Sequence, residues 1–383
     1  MDEQKNLHLF FSDLVVETRL FKEAEFTLER SILSDVFALG IRKDGLLKSE
    51  IHSSGLKIMR IRLFIEVIRK WKIGKFKIIR IMVILMSLLQ YAAYSFRMCQ
   101  KLKVDYVSIH NLPLLPLGCI IKLLFKVRLI YLPHELETER SGVRGFFKSI
   151  FKISERFCIR QVNHTVTVCA PISNWYLDSY QLDNIYTVRN VPAKKQLVRC
   201  NDVIDIRRDS DISAEDIVFI YQGLLSEGRG ITLLIESFKR AKKKIVFMGH
   251  GDLTDEIVNE KSKYIRYLAP VEASKICSQT AKADVGVHIN QDCSLSYKYS
   301  LPNKFFEYLH AGLPIIVSPN MEYLADLVVR YNLGWVVDPE NLVAFLVDLK
   351  QSECIEKRES IAEYAAHAIY ENDAKVFESI YVS

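Results

Sequence analysis

Residues 300–318, SLPNKFFEYLHAGLPIIVS, place a proline, an amide, a lysine and a glutamate at the opening of a short helix. Ser300 is suited to capping it, Pro302 to its first turn, where no N–H is wasted, and Gly312 to the left-handed residue that ends it. Free backbone amides from Asn303 onward, the positive end of the helix dipole and the charge of Lys304 then make a cradle for phosphate, with Pro302 at its edge. Glu307, one turn deeper, is placed to accept hydrogen bonds from a diol. Phosphate and diol together describe a nucleotide. Phe305, Phe306 and Leu309 anchor the helix in a core. The structural alternative for the same residues is a surface helix carrying one ordinary exposed glutamate.

The elements needed to position that helix are legible from about residue 100 onward. β-branched apolar runs recur as VDYVSIHN, VRLIYLPHE, VNHTVTVCA, NIYTVRNVP, DIVFIYQGLL, KKIVFMGHG, KYIRYLAP, ADVGVHIN, LPIIVSPN and LGWVVD. Helical stretches separate them, the layout of buried parallel strands joined by helices, so the fold class is α/β. At 383 residues the chain is long for one core, and the polar stretch 193–214 divides two strand series, so two domains are expected, with a cleft between them. In parallel sheets ligands bind beyond the carboxyl ends of the strands. The residues placed there are His110 and Asn111, His134 and Glu135, Arg189 and Asn190, Gly223 through Gly230, Gly249 through Asp252 (with Gly251), and Asn290. His250 and His288 are read as structural.

The 300–318 stretch resembles the C-terminal signature of the family 4 glycosyltransferases, of the form S-P-N-K-h-h-E-Y-h-A-A-G-h-P. YVSIHNLPLLPLG, LIYLPHELETER, YTVRNVP, YQGLLSEGRGI and VFMGHGDL are similar to further segments of that family, so the resemblance spans about residues 105–340. It implies the GT-B architecture: two Rossmann-like domains with parallel sheets facing a central cleft. The expected division is an acceptor domain over 1–192, a linker over 193–214 and a nucleotide-sugar domain over 215–360. A C-terminal helix over 361–383 is expected to pack back toward the first domain.

The implied activity is a retaining, metal-independent transfer of a sugar from a UDP- or GDP-sugar to a glycan or lipid-linked acceptor, with no separate cofactor. Arg229 and Lys304 would neutralise the leaving diphosphate, Glu307 would hold the ribose and His134 would contact the donor sugar. Gly223, Gly251, Asn290, Pro302 and Asn303 would shape the donor site, and His110, Asn111 and Glu135 the acceptor side. The sequence departs from the family where Tyr299 stands eight positions before Glu307 in place of a glutamate. It departs again in the phosphate loop, where Leu224 replaces an arginine and Arg229 a lysine. A nucleotide-sugar epimerase of the same architecture and a non-catalytic transferase-like subunit are the competing readings. The D-x-D at Asp209–Asp211 reads as a solvated turn, and no metal site is expected.

Charge and cysteine usage narrow the setting. Eight cysteines, Cys99, Cys119, Cys158, Cys169, Cys200, Cys277, Cys293 and Cys354, form no C-x-x-C pair, the pattern of reduced thiols in a cytoplasmic protein. The N-terminus lacks the basic start and cleavage site of a signal peptide. Residues 57–80 hold nine Lys and Arg against the single acid Glu66, and 81–96 follow as an uncharged apolar run. That run is too short for the roughly 20 residues of a transmembrane helix. Cations interleaved with Ile, Phe and Trp71 suit an anionic membrane surface, so 57–96 is read as a peripheral membrane segment. The alternative is a core helix preceded by a solvated basic stretch. No recognised nucleic-acid motif accompanies the charge, and nucleic acid is not expected as a partner.

Overall fold

The computed structural model describes residues 3–66, 77–143, 145–207, 212–213, 215–291 and 293–382. Two compact units result: one of residues 1–138, 142–188 and 373–383, the other of residues 139–141 and 189–372.

The first unit is built on an eight-stranded sheet of β1 (Lys5–Leu9), β2 (Asp35–Ile41), β3 (Ser49–Ile51), β4 (Lys57–Ile61), β5 (Tyr106–Ile109), β6 (Arg128–Tyr131), β7 (His164–Thr167) and β8 (Ile185–Thr187). Their order is β3-β4-β2-β1-β5-β6-β7-β8, parallel except where β3 runs against β4. The order reverses between β1 and β5, which makes their carboxyl ends the switch point where ligands enter such sheets. The second unit holds a parallel six-stranded sheet of β9 (Val218–Leu224), β10 (Lys244–His250), β11 (Ile265–Leu268), β12 (Val285–His288), β13 (Ile315–Val317) and β14 (Gly334–Val336). Its order, β11-β10-β9-β12-β13-β14, reverses between β9 and β12. Phe219, Phe238, Phe247, Val287 and Ile316 belong to the core beneath it.

All ten apolar runs named from the sequence are strands. The two-domain division stands with different boundaries. The first unit ends at Val188 rather than 192, and residues read as a linker belong to the second unit. They are tied down there: Cys200 N–H donates to Ser278 Oγ (2.9 Å), Ile204 N–H to Gln279 Oε1 (2.8 Å), and Arg207 pairs with Asp284. Asp209–Asp211 lies outside the described residues. The C-terminal return is shorter than 361–383. The helix Arg358–His367 packs against the helix Asn303–His310 in the second unit, and the return to the first unit begins at Asp373.

The basic stretch also needs correction. Lys57, Arg60 and Arg62 lie in or beside β4, and each is paired with a carboxylate. Lys57 pairs with Asp35, Arg62 with Asp44, and buried Arg60 pairs with Glu50 and donates to the carbonyls of Asp13 and Leu14. Residues 67–76, which include Arg69, Lys70, Trp71 and Lys72, lie outside the described residues. The apolar run is the middle of a longer helix, Lys77–Leu102, of which Met82–Leu102 is long and apolar enough to cross a membrane by length and composition alone.

One stripe of that helix, Val83, Ser87, Tyr91, Ser95 and Met98, is buried. Tyr91 fixes its position: its hydroxyl accepts from Phe10 N–H (3.0 Å) and lies within donating distance of the carbonyls of Phe10 (2.9 Å) and Leu39 (2.7 Å). Tyr91→Phe strips a buried site of these bonds and is expected to cost about 1–2 kcal/mol in urea unfolding. A loss below a few tenths would mean that the helix is held by packing alone.

Candidate functional site

In the second unit the site grows from the switch point between β9 and β12. The helix Asn303–His310 begins with Pro302 as its N-cap and no side-chain cap. Ser300 does not cap it, because its Oγ is turned back to donate to the carbonyl of Tyr297 (2.9 Å). Pro302 thus stands one position earlier than the sequence implied, and the first-turn amides beyond it have no side-chain acceptor. The far end matches expectation. Gly312 takes φ 77°, Leu313 N–H donates to Tyr308 O and Gly312 N–H to Leu309 O (both 2.9 Å), a closure that satisfies the final carbonyls.

Phe305, Phe306, Tyr308 and Leu309 are buried and seat the helix on the sheet. Tyr308 Oη accepts from Gln222 N–H (3.1 Å) and lies near the carbonyls of Ile220 (3.2 Å) and Val287 (3.3 Å), so the helix is keyed to both strands that flank the switch point.

Lys304 occupies an unusual environment. It is buried, its Nζ lies 3.9 Å from the centroid of the Tyr221 ring, and that Nζ has no hydrogen-bond partner among the described residues. Burial holds its ammonium down to about 7, helped by the Arg229 guanidinium and opposed by Glu307. Stability alone gives no reason to bury a lysine without a partner. Glu307 is half-buried and accepts from Gln222 Nε2, whose own carbonyl oxygen accepts from Thr280 Oγ1 (2.6 Å). The carboxylate is therefore held in place by the end of β9.

The loop from Gly223 to Gly230 follows β9 and feeds the helix Ile231–Ala241. A methyl group on Gly223 would stand 3.5 Å from Lys304 Nζ, so this backbone lies directly beside the buried cation. Gly230, the N-cap of the helix, takes φ 73°, and a Cβ there would reach 2.6 Å from the carbonyl oxygen of Ile289. At Gly251 a Cβ would be 2.1 Å from the carbonyl oxygen of Leu225. Backbone therefore packs on backbone, and the two strand-end loops close on each other. Asn290 is buried after β12, with its backbone fixed by Ser318 Oγ (3.0 Å) and Asn320 Nδ2 (2.8 Å).

Two further residues gather beside Lys304: His288, read as structural from the sequence, and Tyr221, which the sequence did not mark. His288 is buried, its Nδ1 has no hydrogen-bond partner among the described residues, and burial together with the charges of Lys304 and Arg229 pushes its ring well below the ordinary imidazole range. Tyr221 is pushed up to about 12 by burial, with Arg229 acting against that shift. Their signal in the sequence was position alone, at the ends of apolar runs.

In the first unit the polar residues gather where β1, β5 and β6 end. His134 and Glu135 are half-buried there. His110, expected on the acceptor side, is 1% exposed: it stacks on Phe10 (ring centroids 3.7 Å) and its ring nitrogens face His8 and His134. It cannot line an open acceptor surface. Asn111 Oδ1 accepts from Phe11 N–H (2.8 Å), which ties the loops after β1 and β5 together.

Comparison with known proteins agrees with this architecture. Residues 232–369 match the family "Glucosyltransferase 3-like, C-terminal domain". No curated protein matches the chain by sequence. Among solved structures, sucrose-phosphate synthase from Thermosynechococcus elongatus superposes with a TM-score of 0.72 at 14% identity over 99% of this chain and 98% of its own. Anabaena HepE in complex with UDP and glucose gives 0.70 at 13% identity, over 99% and 100%. A glycosyltransferase from Rickettsia africae gives 0.68 at 13% identity, over 100% and 98%. The fold is that of the GT-B glycosyltransferases.

Proposed function

We propose that this chain is a retaining glycosyltransferase of the family 4 type. It takes a sugar from a UDP- or GDP-sugar, without a metal, and passes it to a glycan or lipid-linked acceptor in surface polysaccharide or glycolipid synthesis. The observation that carries this reading is Lys304: a buried ammonium with no hydrogen-bond partner among the described residues, beside a glycine loop, Arg229 and an uncapped helix start, calls for an anion. Anabaena HepE, which shares the fold, is described in complex with UDP and with UDP-glucose, which supports a nucleotide-sugar donor here.

In that reading Lys304 and Arg229 receive the charge that builds on the diphosphate as the bond from the anomeric carbon to phosphate oxygen breaks. Glu307, steadied by Gln222, holds the ribose diol, and His134 orients the sugar. The acceptor hydroxyl oxygen bonds to the anomeric carbon on the face that the diphosphate leaves, and its proton passes to the departing phosphate oxygen, so no protein base is needed.

We read the position as peripheral at the cytoplasmic membrane face; the membrane contact in that reading is supported by three helices of the first unit. Lys77–Leu102, Leu115–Phe125 and Gly145–Cys158 follow successive crossovers on one side of the sheet, and the middle one packs against both others. Met82, Leu85, Leu89, Leu123, Leu124, Ile153 and Phe157 are exposed on them, beside exposed Lys126, Lys152, Arg156 and Arg160. Apolar side chains beside cations fit an anionic bilayer surface.

The test is release of UDP or GDP from nucleotide sugars, with and without a lipid-phosphate acceptor. Acceptor-dependent release supports the reading. Sugar interconversion without acceptor would assign an epimerase, and nucleotide binding with no turnover on any donor would assign a non-catalytic subunit. Sedimentation with phosphatidylglycerol vesicles should fall at least tenfold in a Leu89→Glu, Leu123→Glu, Phe157→Glu variant. Sedimentation unchanged by that variant, but lost when Arg69, Lys70 and Lys72 become Gln, would place the contact in 67–76 instead.

A further inference from the structure

A row of imidazoles runs inward from His134. Asn6 and His8 point to the same side of β1, level with Tyr106 and Ser108 on β5. Asn6 Nδ2 lies 2.9 Å from His8 Nε2, His8 Nδ1 lies 2.9 Å from His110 Nε2, and His110 Nδ1 lies 3.2 Å from His134 Nε2. At the inner end Asn6 Nδ2 also donates to the Tyr381 hydroxyl (2.7 Å), which donates to Glu23 Oε1 (2.8 Å); Nδ2 lies 2.9 Å from Ser108 Oγ as well, and that hydroxyl is within donating distance of Asn6 Oδ1 (3.2 Å). Asn6, His8 and His110 are each no more than 1% exposed, while His134 is half-buried.

We propose that Asn6, His8 and His110 are positioning residues that fix the tautomer of His134. This rests on the reading above, in which His134 faces the donor sugar. An amide nitrogen carries two hydrogens and cannot accept; assigning one to Tyr381 and one to His8, with the Ser108 hydroxyl donating to Asn6 Oδ1, makes His8 Nε2 the acceptor and puts its proton on Nδ1. That proton is donated to His110 Nε2, which puts the His110 proton on Nδ1, and that proton in turn is donated to His134 Nε2. The neutral His134 ring is left with its proton on Nδ1 and its Nε2 closed. A proton added to any ring would set two N–H groups against each other, so the row resists charging as a unit.

The groups facing it act the same way or are held off it. Burial pushes His8 down to about 3, and burial with His8, His134 and Arg19 pushes His110 well below its ordinary range. Glu23 is raised by burial to about 7, against the pull of the Tyr381 hydrogen bond and of Arg19, and its Oε1 stands 3.8 Å from His8 Nε2. No proton transfer through the row is required; its work is to present the same ring atoms of His134 to every substrate molecule.

The test is ring-nitrogen NMR of the full chain labelled with 15N-histidine, beside the turnover profile from about pH 5.5 to 8.5. Wild type should show Nδ1–H tautomers for His8, His110 and His134, with no separate titration. Asn6→Asp, which accepts where the amide donated, should invert all three tautomers and lower turnover about tenfold or more. If Asn6→Asp does not fold, His110→Asn cuts the row: His134 should then show a titration of its own, and turnover should acquire a step at the same pH. Mixed or independent tautomers in wild type, or inversion without any change in turnover or its pH profile, would overturn the proposal. Absence of glycosyl transfer with the tautomers as stated would instead overturn the functional reading and leave the row intact.

Discussion

In a Lys304→Met variant, glycosyl transfer is expected to fall about 100- to 1,000-fold, the scale of losing one preorganised donor to a developing anion. The same variant should lose a proton signal. In the folded chain Lys304 is held down to about 7, chiefly by burial. Between about pH 7 and its ordinary 10.5 the unfolded chain binds a proton that the folded chain does not. Stability therefore rises with pH through that window and is lost as pH falls back toward 7. A diphosphate beside Nζ returns the proton, so binding of UDP near pH 8.5 should take up close to one proton per site. Calorimetry in two buffers of different ionisation heat measures this. No uptake in wild type would place the diphosphate away from Lys304.

The helix that carries Lys304 was readable because its signals are local: a proline at the start, a glycine at the end, and apolar residues on one face between them. The strands after residue 100 were readable for the same reason, since buried parallel strands are continuous β-branched runs. β1 was not recognised. Its NLHL core interrupts the apolar pattern with Asn6 and His8, whose partners Ser108, His110 and Tyr381 lie 100 residues and more away along the chain. The basic stretch was legible only in part, because the sequence shows the charges of Lys57, Arg60 and Arg62 but not that Asp35, Glu50 and Asp44 meet them. Among the site residues, Lys304, Glu307 and Arg229 were visible in a motif. His288 carries no such mark, and its burial beside two cations belongs to the fold.

Arg19→Ala is expected to destabilise the protein by about 3–5 kcal/mol, the scale of stranding a buried charge network. Arg19 is 2% exposed in the helix Thr18–Glu29, and its guanidinium donates to the carbonyls of Pro133 (3.2 Å) and Val166 (2.8 Å). It thus fastens the chain after β6, one residue before His134, to the end of β7. Its charge also lowers Glu23. Arg19→Lys should recover little, because a single ammonium cannot span carbonyls that a planar fork reaches together. Urea unfolding of both variants is the measurement, and a loss below about 1 kcal/mol in Arg19→Ala would show that packing alone holds those loops.

The helix Val376–Val382 belongs to the unit that β1 begins, and Tyr381 meets Asn6 across 375 positions of sequence. During synthesis, then, Asn6 waits for Tyr381, made 375 positions later. The second unit has all its strands before the first can close over Glu23, Asn6 and Tyr106, so a nascent chain carries an unfinished first unit until Tyr381 is made. Chaperone demand should peak on that half, and a stop codon before Tyr381 should spoil the earlier-made unit while sparing the later one.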